Sequence, residues 1–188
     1  TGFAYDLNGN LTADGAHTYA YDACDRLIQV SGALGTVATM TYDFAGRRTS
    51  LATASGTTYF HYDGSRLVAE SDSIGTITAA YIYADGGLVS MTRAGQTYFY
   101  QTNAHGDVVS LTDATGQVVN SYTYDPWGAP LTTTETVPNP FRYASYYYDT
   151  DTCLYYLWHR YYDPETRRFL TVDWVGICLA RPDSFNYY

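Results

Sequence analysis

The groups in this chain that could do chemistry are four histidines, three cysteines and 19 acidic residues, spread over 188 positions. A metal centre needs ligands at short, recognisable spacings. His17, His61, His105 and His159 stand far apart, none two or four residues from another ligand type in a metal pattern, so neither metal nor cofactor is expected. His105-Gly106-Asp107 holds a base and an acid, yet no serine lies in a Gly-x-Ser-x-Gly elbow, and His105 reads as a turn residue. Cys24, Cys153 and Cys178 are too few and too widely spaced for zinc, and an odd number cannot all pair within the chain. They read as thiols buried among apolar groups, or as a Cys153 to Cys178 disulfide if the compartment is oxidising.

Charge narrows the classes further. The formal net charge is −9, and the ten basic residues are all arginine with no lysine, so no basic stripe exists to neutralise phosphates. Nucleic-acid binding is not expected of this segment. No apolar run approaches the roughly 18 residues that cross a bilayer, and the first residues lack the pattern of a signal peptide. The chain reads as starting inside a repeat, with targeting information expected upstream.

The elements that would position these groups are short strands. Tyrosine occurs 22 times, aromatics make up 17%, glycine reaches 16 and only 15% of residues are charged, a composition that favours strands and tight turns over amphipathic helices. Tyr-Asp pairs recur at Tyr5-Asp6, Tyr21-Asp22, Tyr42-Asp43, Tyr62-Asp63, Tyr124-Asp125, Tyr148-Asp149 and Tyr162-Asp163, with a degenerate Tyr83-Ala84-Asp85 in the central gap. The spacing is about twenty residues, two strands and two turns. After several pairs comes a small turn, as in Tyr42-Asp43-Phe44-Ala45-Gly46-Arg47, where the carboxylate can accept backbone N–H bonds two residues on and glycine supplies a positive φ. A second set of turns, including Ala54-Ser55-Gly56, Ser73-Ile74-Gly75, Arg93-Ala94-Gly95 and Ala114-Thr115-Gly116, joins neighbouring antiparallel strands. Alternation in Thr57-Thr58-Tyr59-Phe60-His61-Tyr62 predicts tyrosines stacked on one face. Such rings could bind sugars or a partner, Tyr146-Tyr147-Tyr148 included, but packing in a stacked sheet needs the same pattern. One hairpin cannot bury its own aromatic face, so the units must add edge to edge into a continuous sheet. A propeller repeats at similar lengths, but no Trp-Asp signature or regular doubling of the period is present.

The Tyr-Asp-x-x-Gly-Arg units resemble the Rhs/YD repeats of bacterial Rhs proteins, of the cocoon components of insecticidal toxin complexes, and of animal teneurins. Residues 101–128, ending in Tyr124-Asp125-Pro126-Trp127-Gly128, are similar to the family's segment in which a His-containing turn, a Val/Leu strand and Thr-Asp-x-x-Gly lead into Tyr-Asp-Pro-aromatic-Gly. Residues 141–173, with Leu154-Tyr155-Tyr156, Arg160-Tyr161-Tyr162-Asp163-Pro164 and Arg168-Phe169, resemble the Rhs repeat-associated core. The resemblance implies an all-β fold in which stacked hairpins make a curved, spiralling sheet, part of a hollow shell. It divides the chain into a wall strip, residues 1–137, and a core segment, residues 138–188, that turns inward as a plug.

The implied function is encapsulation and delivery of a C-terminal toxin, with that toxin, upstream repeats and components of a secretion system as partners, at the cell surface or outside the cell. The alternatives are an adhesion or carbohydrate-binding module and an aspartic autoprotease that frees the toxin. In the family, core aspartates are implicated in self-cleavage, and Asp173 matches the first of them; its partner is expected beyond Tyr188, with Asp183 a distant substitute. The segment itself is expected to have no enzymatic activity. Three positions depart from the family pattern: Cys153 and Arg167 stand where turn glycines are usual, and Trp174 replaces a proline. Strain or a remodelled turn is expected at the first two.

Overall fold

A computed structural model describes residues 2–85 and 87–173. Cys178, Trp174, Asp183 and the tail from Arg181 lie outside them. Among the described residues the strands form two antiparallel sheets, one of 14 strands in sequence order and one of four. The first half of the large sheet comprises β1 (Ala4–Tyr5), β2 (Leu11–Ala13), β3 (Thr18–Tyr21), β4 (Leu27–Gly32), β5 (Gly35–Tyr42), β6 (Arg48–Thr53) and β7 (Gly56–Asp63). The second half comprises β8 (Arg66–Ser71), β9 (Ile77–Ala84), β10 (Gly87–Arg93), β11 (Gln96–Thr102), β12 (Val108–Thr112), β13 (Val118–Tyr124) and β14 (Pro130–Glu135). Each strand pairs with the next, so the continuous sheet expected from the repeat is present and the propeller is not.

Seven loops share one construction. The side-chain oxygen of Asp6, Asp22, Asp43, Asp72, Asn103, Asp113 or Asp125 accepts the backbone N–H groups two and four residues on, at 2.8–3.0 Å. The residue three positions on is left-handed in every case, from Asp25 at φ 57° to Gly106 at φ 92°. Glycine removes the Cβ clash there, and aspartate tolerates it. The loop therefore follows the Asp-x-x-Gly sequence and not the Tyr-Asp pair. Asp72 and Asp113 build it with no tyrosine before them, while Tyr62-Asp63 does not build it: Asp63 pairs with Arg66 across the two-residue turn Gly64-Ser65.

Five of these loops line one edge of the strip, and the strand leaving each carries a β-bulge one residue in. Thus Tyr42 pairs with Arg48 and Thr41 with Ser50, leaving Thr49 extra. Between hairpins the strands splay at this edge, since β6 and β7 have their last pair at Ser50 and Tyr59. Tyrosine hydroxyls close the gap. Tyr21 donates to the Leu11 carbonyl at 2.8 Å, Tyr42 to Leu27 at 2.5 Å, Tyr62 to Arg48 at 2.9 Å, Tyr83 to Leu67 at 2.9 Å and Tyr124 to Val108 at 2.8 Å. Each bond is worth about 1 kcal/mol net, and losing one strands a carbonyl.

Arginine adds a stitch from one repeat to the next. Arg26 donates to Asp22 at 2.7 Å and to the Asp43 carbonyl at 3.0 Å, with its guanidinium 5.1 Å from the Tyr42 ring. Arg47 repeats the arrangement with Asp43, the Gly64 carbonyl and Tyr62, and Arg66 lies 5.6 Å from Tyr83.

One face of the strip carries Leu27, Met40, Leu51, Phe60, Leu67, Tyr81, Met91, Tyr100, Leu111 and Tyr122, all buried. Burying each is worth about 1.5–3 kcal/mol. The other face is rich in Ser and Thr. Tyr59 lies on it, 41% exposed and opposite Ser50, so the tyrosines of this strand do not share one face as expected, because Tyr59 and Tyr62 are an odd number of residues apart.

The small sheet comprises β15 (Tyr147–Asp149), β16 (Leu154–Leu157), β17 (Arg160–Asp163) and β18 (Arg168–Phe169). It lies against the buried face and runs back along the strip: the Arg142 carbonyl accepts the Val108 N–H at 3.0 Å, the Tyr156 hydroxyl the Arg48 N–H at 2.9 Å, and the Leu170 carbonyl the Leu11 N–H at 2.7 Å. Tyr156 and Tyr161, on one face of it, touch Arg48, while Tyr155 and Tyr162, on the other, donate to Gly128 and Trp127 carbonyls. Neighbouring residues of a strand point to opposite faces. The large sheet must therefore curl around the small one.

The loop carboxylates set an acid limit. For Asp43 partial burial acts upward but is outweighed by Arg47 and by the N–H groups of Arg47 and Ala45, so its pKa lies below the ordinary 3.8. A lowered folded pKa gives stability that is present above the unfolded value and lost as pH falls through the folded one. Urea midpoints should fall steeply below about pH 4, and less steeply in Asp43→Asn.

Candidate functional site

The seam between the two sheets holds buried polar groups that the sequence reading did not single out. Arg48, at the start of β6, points into it with its side chain 1% exposed, opposite Asp149 at 0%. Its Nη2 donates to Asp149 Oδ1 at 2.9 Å and its Nη1 to Asp149 Oδ2 and, at 3.2 Å, to the Tyr161 hydroxyl. Four rings enclose the guanidinium, Phe60 and Tyr156 at 4.5 Å, Tyr147 at 5.0 Å and Tyr161 at 5.9 Å. Its Nε, without a hydrogen-bond partner, lies against these π faces. Burial pushes the Asp149 carboxyl above its ordinary value against the pull of Arg48.

Two further clusters extend the seam. Glu70 Oε1 accepts the hydroxyls of Tyr81 at 2.6 Å and Tyr147 at 2.9 Å, and Oε2 accepts Arg93 at 3.1 Å. Asn120 accepts the N–H groups of Thr136 and Val137 and donates to the Val137 carbonyl, fixing the connector between the sheets. Asp107 stands where the repeats ending in Arg26 and Arg47 have arginine, and accepts the Ala144 N–H at 2.8 Å. The connector thus docks on the loop edge where the arginine stitch has stopped.

The loop Asp125-Pro126-Trp127-Gly128 is held from outside the seam. Tyr143, Tyr162 and Tyr155 donate to the carbonyls of Pro126, Trp127 and Gly128 at 3.1, 2.9 and 2.9 Å. A Cβ on Gly128, which has φ 88°, would fall 2.6 Å from the Tyr143 ring, so glycine is required for approach as well as for conformation. Arg167 lies 3.5 Å from the Trp127 ring. Arg167 and Cys153 keep the left-handed turns of the family's glycines, at φ 63° and 59°, at a cost of about 1 kcal/mol each. The Trp127 contact offsets the first; the Cys153 N–H, bonded to the Asp149 carbonyl at 2.8 Å, closes the turn behind the buried carboxylate.

Of the repeat anchors, Tyr21, Tyr42, Tyr62 and Tyr124 form the hydroxyl ladder, and Asp6, Asp22, Asp43 and Asp125 cap loops. Tyr5 accepts from Arg168 at 3.2 Å, Tyr162 holds the Trp127 loop, and Asp163 caps the turn at Glu165. Asp63 caps no loop of this kind. Asp173 pairs with Arg160 at 3.0 Å, in a groove of about 820 Å³ shared with Asp25, Cys24 and His159. Asp25 Oδ1 is taken by Asn8 and Asn10. His105 is a turn residue, bonded to Asp107 at 2.8 Å. Cys24 and Cys153 are exposed free thiols, not buried ones, because both occupy turn positions.

A family model described as teneurin YD-shell matches residues 1–188. The chain is 43% identical over 178 residues to the tRNA3(Ser)-specific nuclease WapA of Bacillus spizizenii, covering 90% of this chain and 8% of that protein. It is 28% identical over 218 residues to the double-stranded DNA deaminase toxin A of Burkholderia cenocepacia, covering 93% and 15%. Among solved structures, a Photorhabdus luminescens Tc holotoxin pore with a TccC3 variant superposes with a TM-score of 0.76 at 20% identity, over 98% of this chain and 10% of that one. The chain therefore spans a small part of the relatives it matches.

Removing one partner of the buried pair leaves an uncompensated charge. Arg48→Leu should destabilise the fold by about 3–5 kcal/mol, measured by urea unfolding; a loss under about 1 kcal/mol would show that Asp149 finds another partner.

Proposed function

Because the chain belongs to the teneurin YD-shell family, we propose that it is a length of wall from a hollow β-shell that encloses a toxic C-terminal part of its own polypeptide for delivery outside the cell. The observation that carries this reading is the curl: 14 strands bend around a returning segment that covers their apolar face. A sheet apolar on one side and hydroxylated on the other suits a boundary between a shielded interior and water. Two of the matched relatives are named as a nuclease and a deaminase toxin, and this segment is only 8% and 15% of them, leaving ample chain for more wall and a cargo. Upstream repeats of the same kind are its natural edge partners.

In this reading the segment contributes containment and no catalysis. Asp173 is tied to Arg160, and Asp25 in the same groove spends an oxygen on two asparagine amides. A carboxylate pair working as an aspartic protease must share a proton, which those partners do not favour.

Two measurements check the proposal in the full-length polypeptide. Under limited proteolysis the region C-terminal to this segment should survive intact in the native protein and be digested once the fold is loosened by Arg48→Leu. Equal digestion of both forms would remove containment. Separately, Asp173→Asn should leave any self-processing unchanged, whereas loss of processing would make Asp173 catalytic.

A further inference from the structure

Every repeat of the strip offers nearly the same surface to the small sheet, and that creates a problem of address. The five positions whose carbonyls accept the tyrosine hydroxyls, Leu11, Leu27, Arg48, Leu67 and Val108, are equivalent by that bond. Four are aliphatic and one is arginine. Around them the buried face repeats the same chemistry: Leu27 and Met40 precede Arg48, and Leu67, Tyr81 and Tyr83 follow it. Apolar contacts are not directional. The small sheet, moved by one hairpin, or about 9–10 Å at two strand spacings, would meet rings and aliphatic side chains again, with the bulge N–H of another repeat to accept.

We propose that Arg48 is the address: its buried pairing with Asp149 fixes which repeat of the wall the small sheet docks on. In a register shifted by one hairpin Asp149 would face Leu27 or Leu67, and both charges would be buried without partners. Among the described residues no other ion pair has both side chains at 1% exposure or less. The rings of Tyr156 and Tyr161 would meet rings and aliphatic side chains again one hairpin away, while the Tyr147 hydroxyl, bonded to Glu70 at 2.9 Å, supports the same register as the ion pair. A buried polar group that specifies register at little gain in stability is an established device in helical assemblies, and the same physics holds for a repeating sheet. The inference concerns docking and does not rest on the proposed function.

The test uses the full-length chain with its native cysteines changed to serine. Ser145→Cys with His105→Cys reports the observed register, because the Ser145 hydroxyl bonds the Gly106 carbonyl at 2.8 Å. Ser145→Cys with Asp85→Cys reports a register one hairpin nearer the N-terminus, at the next loop along the same edge. With Arg48 and Asp149 in place the first disulfide should exceed the second by about tenfold or more. In Arg48→Leu/Asp149→Leu, where two apolar side chains replace the pair and folding is retained, the ratio should fall to about threefold or less. In Arg48→Leu/Leu27→Arg, which moves the arginine one hairpin back and keeps Asp149, the second disulfide should predominate. If the double-leucine form does not fold, the relocated arginine decides alone. An exclusive first disulfide in either folded variant overturns the proposal, because the register would then be fixed without the ion pair.

Discussion

The structure depends on what happens to the backbone where each hairpin opens. An Asp-x-x-Gly loop closes with a left-handed residue, and the strand leaving it carries an extra residue, so the ladder to the next hairpin stops short of the loop edge. At Leu11, Leu27, Arg48, Leu67 and Val108 this leaves a carbonyl without a partner in the ladder. The carbonyl is taken by a tyrosine hydroxyl from the following hairpin, and at Leu11, Arg48 and Val108 the N–H is taken by the returning segment. Tyrosine is the residue that spans this gap, since its ring packs on the apolar face while its hydroxyl reaches the splayed edge. The splay also leaves room for the small sheet and bends the strip around it. Curvature, ladder and docking are thus one solution to unpaired backbone groups.

The sequence carried the local parts of this arrangement plainly. Asp and Gly at fixed separation mark the wide loops, which depend on residues within one hairpin, and the Tyr-Asp recurrence marks the tyrosines whose hydroxyls reach back to the preceding hairpin. Side-chain direction was less legible. A bulge shifts the parity of the strand after it, so Arg48 and Leu51, three apart, share the buried face, whereas strict alternation would set Arg48 beside Ser50. Counting by twos therefore fails within two residues of each loop, which is where Arg48 sits. Asp149 was read as another Tyr-Asp anchor for the same reason: its pair lies in the small sheet, where it meets a guanidinium 101 residues away. The useful signal was the second arginine of Gly46-Arg47-Arg48, a charge at a position that is aliphatic in neighbouring repeats. Cys24 and Cys153 were misjudged by residue type; their turn positions outweigh the usual burial of thiols.

The arginines divide the labour by solvent access. Arg26 and Arg47 lie at the loop edge, partly exposed, where an ion pair is worth little alone. Their value comes from spanning two repeats, holding one loop's carboxylate, the next loop's carbonyl and the next tyrosine's ring. The stitch stops after Arg66. Beyond it Asn103 and Asp107 replace the aspartate and arginine of a standard loop, and the edge is covered instead by the connector, bonded through Ala144 and Ser145. A repeat that loses its arginine accepts a different cover, and the chain supplies one at that place.

The same reasoning explains why strained turns survive in the small sheet. Cys153 and Arg167 occupy left-handed positions that glycine would fill without strain, and Arg167 is held by a side-chain contact that glycine could not make. Arg167 gains the Trp127 ring, and Trp127 belongs to the last loop of the strip, which lies on the opposite side of the small sheet from Arg48. A residue strained locally thus tightens the curl globally, because it joins the far end of the wall to the segment that the Arg48 pair holds in the middle. The backbone cost is about 1 kcal/mol, comparable to what one cation–π contact returns, so the strain is supported by the closure it completes.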